Sequence, residues 1–473
     1  MKLWQYIKEK MTEHLNQTLA EDNFKITYRE VIAHVESFSR EIKREKCCAV
    51  ICSSEMMAAA AILSCFCAGV TCVPVSIRYG GAHCRKILKK INPTAIICDN
   101  NDGVTPRLRV IRMGMNIDVD INIRKKSYSG EYKEPPIHPA LIMCTSGTTG
   151  TPKGVMLSEK NILANVNDIC DYFKITSQDT ILIARPLYHC AVLTGELLTG
   201  LVKGVRIHFF SGQFNPKSVF DLMENAGVTV FCATPTLFSV ISRLVKGNAS
   251  LKLKHITVSG ECLSAVTGRR IAGAFPDADI YHVYGLTEAG PRVSYLPPDK
   301  FLSNTECAGR PLHSISVKIV KPDGRLCSAG EAGTLWVKGP SIMLGYYNEP
   351  TLTKQVLQNG WLCTKDTAFI DDNGFINIRG RADDMIIRSG MNIYPQEIEN
   401  TVKQDMRVNE VHVYGFKGIH DTTQIGMDIS GDFAGVSDVK NLCLKLLPAF
   451  QIPSRIRILD ELPKNESGKI IRG

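Results

Sequence analysis

Residues 141–157 of this chain read LIMCTSGTTGTPKGVML. The four apolar residues at 141–144 predict the end of a buried strand. A loop of glycine and hydroxyl residues follows at 145–150, and Lys153 comes three residues later. Glycine lets backbone N–H groups approach a phosphate closely, hydroxyls add donors, and lysine adds a positive charge. This stretch therefore predicts a loop that binds a polyanion.

The loop differs from a Walker A loop, because that motif places its lysine directly after the last glycine. Here Lys153 lies three residues past Gly150 and follows a proline. Ser158 is predicted to cap the next helix. The apolar residues of one helix face recur at Ile162, Leu163, Val166, Ile169, Cys170 and Phe173.

Composition is typical of a globular protein with more than one domain. The chain has 473 residues, of which 44% are hydrophobic and 22% are charged. Its net charge is +9, but the lysines and arginines are scattered, so we expect no nucleic-acid partner. A mild positive charge suits polyanionic small molecules.

The seventeen cysteines form no C-x-x-C pair, so the spacing of a zinc site is missing. Several lie in apolar runs, such as Cys65 and Cys67, where cysteine behaves as a small hydrophobic residue. We therefore expect a reducing compartment and a cytoplasmic protein. Residues 1–15 lack the apolar core of a signal peptide, and no apolar stretch approaches the roughly 20 residues of a membrane span.

Strand and helix signals alternate on both sides of the glycine loop. Residues 1–44 are predicted to be helical, around ITYREV at 26–31. Helices are predicted at 55–66 and 84–91, and strands at 49–52, 71–75, 94–98, 180–184, 205–210, 228–233 and 255–259. Continuous apolar runs are typical of strands buried on both faces, so we expect an α/β fold of doubly wound, largely parallel sheets.

The pattern changes near residue 300. Residues 316–327 predict a hairpin around a Pro-Asp-Gly turn, and 333–339 and 367–380 continue an antiparallel β subdomain at about 305–380. This subdomain completes an N-terminal domain, 1–380. Residues 381–473 predict a small α+β C-terminal domain with a helix, a strand and a final helix–strand pair.

The run TSGTTGTPKG at 145–154 resembles the signature of the adenylate-forming superfamily, which comprises acyl- and aryl-CoA ligases, adenylation domains of peptide synthetases, and luciferases. YGLTE at 284–288 and RGRADDMIIRSGMNIYPQEIE at 379–399 resemble two further motifs of the same superfamily. The matches occur in order over most of the chain and are most similar to acyl- and aryl-CoA ligases. The resemblance implies a mobile C-terminal domain that turns on a hinge near Asp383.

The resemblance assigns the phosphates of ATP to the glycine loop. The implied phosphate-binding residues are Thr145, Ser146, Gly147, Thr148, Thr149, Gly150 and Lys153. Glu288 is the implied Mg²⁺ ligand together with Thr145, and Thr287 would touch the α-phosphate. Carboxylate oxygen is the ligand that Mg²⁺ prefers, and the ion neutralises phosphate charge.

Adenosine contacts follow from the same resemblance. The turn Ser259, Gly260 and Glu261 would run along the adenine, and Tyr284, followed by Gly285, would pack on it. His282 stands where the family usually has asparagine, as a further adenine contact. Asp366 would accept hydrogen bonds from both ribose hydroxyls, since a carboxylate is a pure acceptor. Arg381 would contact the ribose or a phosphate.

Three residues are implied in handling the acid and the thiol. His189 in PLYH would lie beside the bound carboxylate. Lys469 would bridge this carboxylate and the α-phosphate, whereas Lys464 is expected to be solvated. Gly390 would let a pantetheine channel pass close to the backbone.

The resemblance implies an AMP-forming acid–thiol ligase. The carboxylate of a small acid attacks the α-phosphorus of ATP, giving acyl-AMP and pyrophosphate, and a thiol then displaces AMP. Coenzyme A is the favoured thiol. No protein nucleophile is needed, because catalysis is positioning plus charge stabilisation.

Two alternatives remain at this point. A stand-alone adenylation enzyme would load an acyl or aminoacyl group on a phosphopantetheinyl carrier protein, and a non-catalytic relative would only bind nucleotide or acyl-AMP. Apolar Ala191 and Val192 disfavour a free α-amino acid, and Glu196, the only acid nearby, is alternatively a charge on a helix surface. The identity of the acid and the oligomeric state stay open.

Overall fold

The computed structural model of the chain describes residues 2–76, 80–99, 109–112, 132–145, 152–212, 214–245, 251–381, 384–388, 391–417, 423–464 and 470. Eight of the residues singled out above lie outside this set. They are Ser146, Gly147, Thr148, Thr149, Gly150, Asp383, Gly390 and Lys469.

Helices and strands alternate over most of the described chain. The α-helices are α1 (Leu3–Thr12), α2 (Tyr28–Ile42), α3 (Glu55–Ala68), α4 (Gly80–Ile91), α5 (Glu159–Tyr172), α6 (Cys190–Val192), α7 (Thr199–Val202), α8 (Pro216–Asn225), α9 (Pro235–Leu244), α10 (Ala265–Ala274), α11 (Pro350–Val356), α12 (Pro395–Val402) and α13 (Val436–Leu446). A π-helical segment, Leu193–Leu198, joins α6 to α7.

The strands up to residue 311 are β1 (Thr18–Glu21), β2 (Phe24–Thr27), β3 (Cys47–Ile51), β4 (Thr71–Pro74), β5 (Ala95–Cys98), β6 (Arg109–Arg112), β7 (Leu141–Thr145), β8 (Lys153–Leu157), β9 (Thr180–Ile183), β10 (Arg206–Phe209), β11 (Val230–Ala233), β12 (His255–Ser259), β13 (Asp279–Gly285), β14 (Arg292–Leu296) and β15 (Arg310–Pro311). The later strands are β16 (Ser316–Val320), β17 (Gly333–Lys338), β18 (Gly345–Tyr346), β19 (Leu357–Gln358), β20 (Trp361–Ile370), β21 (Ile376–Arg381), β22 (Ile386–Arg388), β23 (Met391–Ile393), β24 (Val408–Lys417), β25 (Thr423–Gly431) and β26 (Arg455–Ile458).

Two large sheets carry the N-terminal part of the chain. The nine-stranded sheet has the order β15-β14-β13-β12-β11-β9-β10-β1-β2, and every pair from β13 to β1 is parallel. The seven-stranded sheet has the order β18-β8-β7-β4-β3-β5-β6. Helices cover both sheets, so the predicted α/β fold of doubly wound, largely parallel sheets is confirmed.

Both edges of the nine-stranded sheet and the β18-β8-β7 edge of the seven-stranded sheet are antiparallel, and the sequence did not indicate them. The hairpin β1–β2 lies in the region predicted to be entirely helical, and only α1 and α2 are helices there. The strand β8 was missed because its five residues follow a proline and precede the helix cap Ser158. That cap is confirmed, since the Ser158 side chain accepts a hydrogen bond from the Asn161 N–H.

The β subdomain is a five-stranded sheet of β16, β17, β19, β20 and β21. The predicted turn forms, because the Gly324 N–H donates to the Lys321 carbonyl at 2.9 Å. The predicted hairpin at 316–327 forms next to that turn, because the Lys321 N–H donates to the Arg325 carbonyl at 2.8 Å, the Cys327 N–H donates to the Ile319 carbonyl at 2.9 Å, and Val320 bridges Leu326. The longer ladder of β16 is with β17.

The last part of the chain has its own sheet and core. The sheet order is β24-β25-β26, and α12 and α13 pack on it. Apolar residues from Ile386 to Leu447 form one buried cluster, distinct from the three clusters of the sheets described above. The strand β25 was not foreseen. The domain boundary at 380–384 and the hinge at Asp383 stay predictions.

Candidate active site

The ends of the glycine loop are fixed by a strand pair. Thr145 is the last residue of β7 and Lys153 is the first of β8, and the two residues stand opposite each other in the antiparallel register. A side chain at either position is therefore held at the edge of the seven-stranded sheet, whatever path the loop between them takes.

Glu288 lies beside this edge. It belongs to a short 3₁₀ turn, Thr287–Ala289, that follows β13. The hydroxyl of Tyr346 donates a 2.8 Å hydrogen bond to its carboxylate Oε1. The Lys153 Nζ lies 5.7 Å from the centre of the Tyr346 ring. Lys153, Tyr346 and Glu288 thus form one cluster, together with Thr145 across the ladder.

Tyr346 was not singled out from the sequence. It is buried on β18, which pairs with β8 so that Tyr346 stands opposite Val155. Burial and the neighbouring Glu288 carboxylate raise the pKa of the Tyr346 phenol, which keeps it a hydrogen-bond donor. The only sequence signal was a tyrosine pair after a glycine in LGYYN at 344–348, which is too common to interpret.

The backbone around Glu288 depends on Gly285. A Cβ at Gly285 would lie 2.0 Å from the Pro291 carbonyl oxygen, so only glycine fits. The Leu286 N–H donates to that carbonyl at 2.9 Å, and the Met343 N–H donates to the Glu288 carbonyl at 2.9 Å. These contacts orient the turn that presents Thr287 and Glu288.

Asp366 joins two distant segments. The Tyr284 hydroxyl donates a short hydrogen bond to its Oδ2, and the Arg381 Nε lies 3.6 Å from its Oδ1. Arg381 stands opposite Asp366 in the β20–β21 ladder. Burial raises the pKa of the Asp366 carboxyl, while Tyr284 and Arg381 oppose that rise. The charge of Glu288 also acts on Asp366, so both clusters belong to one site.

The turn at 259–261 lies at the carboxyl end of β12, where ligands bind in open α/β sheets. The Ser259 hydroxyl is buried without a hydrogen-bond partner, and Gly260 has a φ of +91°. Glu261 is not only solvated, because its Oε2 accepts a 2.7 Å hydrogen bond from Thr236 Oγ1 in the first turn of α9.

His282 is engaged by backbone. It is buried, and its Nδ1 lies 2.8 Å from the Cys307 carbonyl oxygen. Burial lowers the pKa of its imidazole to about 4. Its contact with adenine stays a prediction, and the contact that the structure shows is with the Cys307 carbonyl.

His189 directly precedes α6 and is half buried, with its ring centre 4.2 Å from that of Tyr188. Its segment is held from α3, because the Leu187 N–H donates a 2.9 Å hydrogen bond to Glu55 Oε2. A cavity of about 40 Å³ between Glu55 and Tyr188 borders this segment.

Two side chains that were expected to be solvated charges are held in ion pairs. Glu196 is fully buried in the π-helical segment and pairs with Arg185 at 2.6 Å, so its interpretation as a charge on a helix surface is wrong. Lys464 is ion-paired with Glu410 at 2.6 Å and with Glu461 at 2.9 Å. In both cases a single sequence cannot show the partner that a distant segment supplies.

The described residues contain no group of three or more His, Cys, Asp or Glu side chains placed to hold a metal ion. Mg²⁺ is usually bound by one or two carboxylates plus substrate phosphates rather than by a protein cage. Among the described residues, no helix is long and apolar enough to cross a membrane.

The buried His282 predicts a pH-dependent stability. The unfolded chain takes up a proton near pH 6.5, whereas the folded chain resists protonation until about pH 4. The free energy of unfolding therefore falls as pH drops through this window, by up to about 3 kcal/mol. We expect His282→Asn, which keeps a donor for the Cys307 carbonyl, to lose less stability over the same window in urea unfolding. Parallel pH profiles for the two proteins would contradict this role.

Known proteins place the chain in a family. The family described as AMP-binding enzyme matches residues 7–347. The long-chain-fatty-acid–CoA ligase of Salmonella typhimurium is 30% identical over 361 residues, which are 73% of this chain and 63% of that protein. Feruloyl-CoA synthase of Amycolatopsis sp. is 30% identical over 362 residues, 72% of this chain and 71% of that protein. The chain thus spans less than two thirds of the length of the Salmonella relative.

Solved structures share the fold. O-succinylbenzoate coenzyme A synthetase (MenE) from Bacillus subtilis in complex with AMP superposes with a TM-score of 0.84 at 23% identity, covering 98% of this chain and 96% of that one. The anthranilate CoA ligase AuaEII in complex with anthranoyl-AMP gives 0.86 at 19% identity, with 99% and 95% covered. Because the family match covers well over half of the sequence, the chain belongs to the AMP-binding enzymes, the adenylate-forming superfamily that its glycine loop resembles.

Proposed function

We propose that this chain is an AMP-forming acid–thiol ligase that makes an acyl-CoA. The supporting observation is a single site built from Lys153, Tyr346, Glu288, Asp366 and Arg381, which are far apart in sequence. Two relatives of similar sequence are named as CoA ligases or synthases, and one structural neighbour holds ATP and a magnesium ion.

In the first step, an oxygen of the acid's carboxylate forms a bond to the α-phosphorus of ATP, and the bond from that phosphorus to the leaving pyrophosphate breaks. Lys153 and Thr145, at the ends of the glycine loop, hold the leaving phosphates. Thr287 donates to the α-phosphate. Each donor stabilises charge that grows in the transition state, which is where such contacts accelerate a reaction.

Glu288 has the character of a magnesium ligand. Its carboxylate accepts one hydrogen bond from Tyr346, and no other described group hydrogen-bonds to it. Mg²⁺ held there would neutralise phosphate charge. Tyr346 fixes the carboxylate, so Glu288 is oriented before substrate arrives.

Asp366 and Arg381 are the proposed ribose-binding residues. The Asp366 carboxylate is buried, accepts from Tyr284 and lies 3.6 Å from the Arg381 Nε, and as a pure acceptor it still has lone pairs for the ribose hydroxyls. Tyr284 presents its ring at the carboxyl end of β13, next to the 259–261 turn. The adenine would lie between these two features.

In the second step, the sulfur of coenzyme A bonds to the activated acyl carbon, the bond from that carbon to AMP breaks, and the thiol proton leaves. We propose that residues 381–473 form a separate domain that turns about Asp383 between the two steps, with Gly390 beside the pantetheine arm and His189 beside the acyl group. We also propose a cytoplasmic location, which agrees with seventeen free cysteines.

Exchange of labelled pyrophosphate into ATP tests the function. We expect exchange that requires a carboxylic acid and Mg²⁺, and acyl-CoA when coenzyme A is added. A panel of fatty, aryl and amino acids identifies the acid class. If the acyl group is transferred only to a carrier protein, that protein replaces coenzyme A in the proposal. If the chain binds nucleotide but shows no exchange with any acid, the proposed function is contradicted.

Lys469→Ala tests the first step. Loss of a donor that bridges the carboxylate and α-phosphate should slow adenylation by roughly 10²–10³-fold. Conversion of preformed acyl-AMP to thioester should be largely spared. Lys464→Ala is the matched control, because Lys464 is already paired with Glu410 and Glu461, and its exchange rate should stay near wild type. Equal losses in both steps for Lys469→Ala would refute the assignment.

Tyr346→Phe tests the orientation of Glu288. The variant keeps the ring beside Lys153 but removes the hydroxyl that holds the carboxylate. A hydrogen bond of this kind contributes about 0.5–1.5 kcal/mol, so half-maximal exchange should need roughly 3–10-fold more Mg²⁺.

The control is Tyr347→Phe, one residue along. Its hydroxyl lies 3.0 Å from the Lys133 carbonyl oxygen and 3.2 Å from that of Ile91, so its one hydrogen is directed to these carbonyls and not to Glu288. We expect this variant to lose stability without a change in Mg²⁺ requirement. If both variants needed the same Mg²⁺ concentration as wild type, Tyr346 would not position the carboxylate.

A further inference from the structure

Two fully buried charged side chains and one partly buried one lie together near the π-helical segment. We call Arg185, Glu196 and Arg292 the buried ion cluster. The Arg185 Nη2 lies 2.6 Å from Glu196 Oε1, Glu196 is 0% exposed and Arg292 is 3% exposed. The Arg292 guanidinium touches the backbone of the π-helical segment, since a Cβ on Gly195 would be 3.0 Å from its Nη2.

The cluster lies on the sheet face that ends at the proposed site. Arg185 follows β9, and Arg292 stands opposite Gly285, one residue past Tyr284. Cys232 of β11 is within electrostatic reach of all three charges, and Cys190 is within reach of both Glu288 and Arg292. The cluster thus lies close to Glu288 and to the strand end that carries Tyr284.

The cluster is not balanced. It contains two guanidinium groups and one carboxylate, and among the described residues no carboxylate lies within ion-pair distance of Arg292. The Nε atoms of Arg185 and Arg292, the Oε2 of Glu196 and the hydroxyl of Ser259 are buried without hydrogen-bond partners. Buried polar groups are nearly always paired, and an unpaired buried charge is costly. The unpaired atoms are two guanidinium donors, one carboxylate acceptor and one hydroxyl, and the Arg292 side chain also contacts the Tyr172 hydroxyl. One positive charge of the cluster thus has no matching carboxylate, and this excess charge points to an anionic partner.

We propose that the buried ion cluster is the inner wall of the acid pocket, and that the activated acid carries a second carboxylate at the end remote from its reacting carboxyl. The second carboxylate accepts hydrogen bonds from the guanidinium groups and balances the excess positive charge. Arg292 determines this specificity, because a guanidinium can donate two parallel hydrogen bonds to a carboxylate. The inference rests on the proposed function and deepens it by naming the class of acid.

Matched acids that differ only at the far end test the proposal. The pairs are butanoate with butanedioate, hexanoate with hexanedioate, and benzoate with benzene-1,4-dicarboxylate. For the pair of best-fitting length, the wild type should favour the diacid by about tenfold or more in kcat/KM for pyrophosphate exchange, as expected for one good charge-assisted contact. Preference for the monoacid in every pair would overturn the proposal.

Substitutions in the buried ion cluster test whether it causes the preference for the diacid. Arg292→Met should bring the ratio of diacid to monoacid near one, chiefly through KM for the diacid, and Arg292→Lys should restore part of it. Glu196→Gln keeps the side-chain volume and removes the competing charge, so its ratio should rise. Arg243→Met, at an exposed position on α9, is the control and should keep the wild-type ratio.

Two further measurements test the proposal if Arg292→Met does not fold or if no acid supports exchange. If Arg292→Met fails to fold, an unchanged ratio in Glu196→Gln overturns the proposal. If no acid supports exchange, the proposed function fails, and the shift in melting temperature that each acid gives with a non-hydrolysable ATP analogue decides the inference separately. A larger shift with the diacid supports the second carboxylate, and an equal or smaller shift refutes it.

Discussion

The carboxylate of Asp366 is the contact on which the site depends. A buried carboxylate is tolerated only when it is paired, and here the Tyr284 hydroxyl and the Arg381 guanidinium pair it. Tyr284 is the next-to-last residue of β13 in the nine-stranded sheet, and Arg381 is the last residue of β21, just before the C-terminal segment. Pairing of the Asp366 carboxylate therefore holds three parts of the chain together, at the place where we propose that the ribose binds.

The register of paired strands fixes the relative positions of the other site residues. Lys153, Thr145 and Tyr346 all lie on the edge formed by β7, β8 and β18, so their relative positions follow from backbone pairing instead of loop conformation. A site built on strands is held more rigidly than one built on loops. Glu288 joins this edge through one phenolic hydrogen bond, which links the seven-stranded sheet to the end of β13.

Much of the fold followed from the sequence, because continuous apolar runs and glycine loops are local signals. The alternating strands, the cap at Ser158 and the family followed from such signals. The missed features depend on distant partners. The strand β8 needed β7, Tyr346 needed Glu288, and the burial of Glu196 needed Arg185. A charged residue inside an apolar run is interpreted as exposed when its counter-charge is unknown, as happened for Glu196. The sequence of β14 likewise did not indicate that Arg292 is buried.

Gly285 has a consequence for attempts to change the acid that is accepted. Because a side chain there would collide with the Pro291 carbonyl, the strand that begins at Arg292 cannot be shifted relative to β13. The register of these two strands is thus set by the main chain, and with it the position of Arg292 and of the turn that carries Glu288. Variant libraries for this region should therefore keep Gly285 constant and vary neighbouring side chains instead.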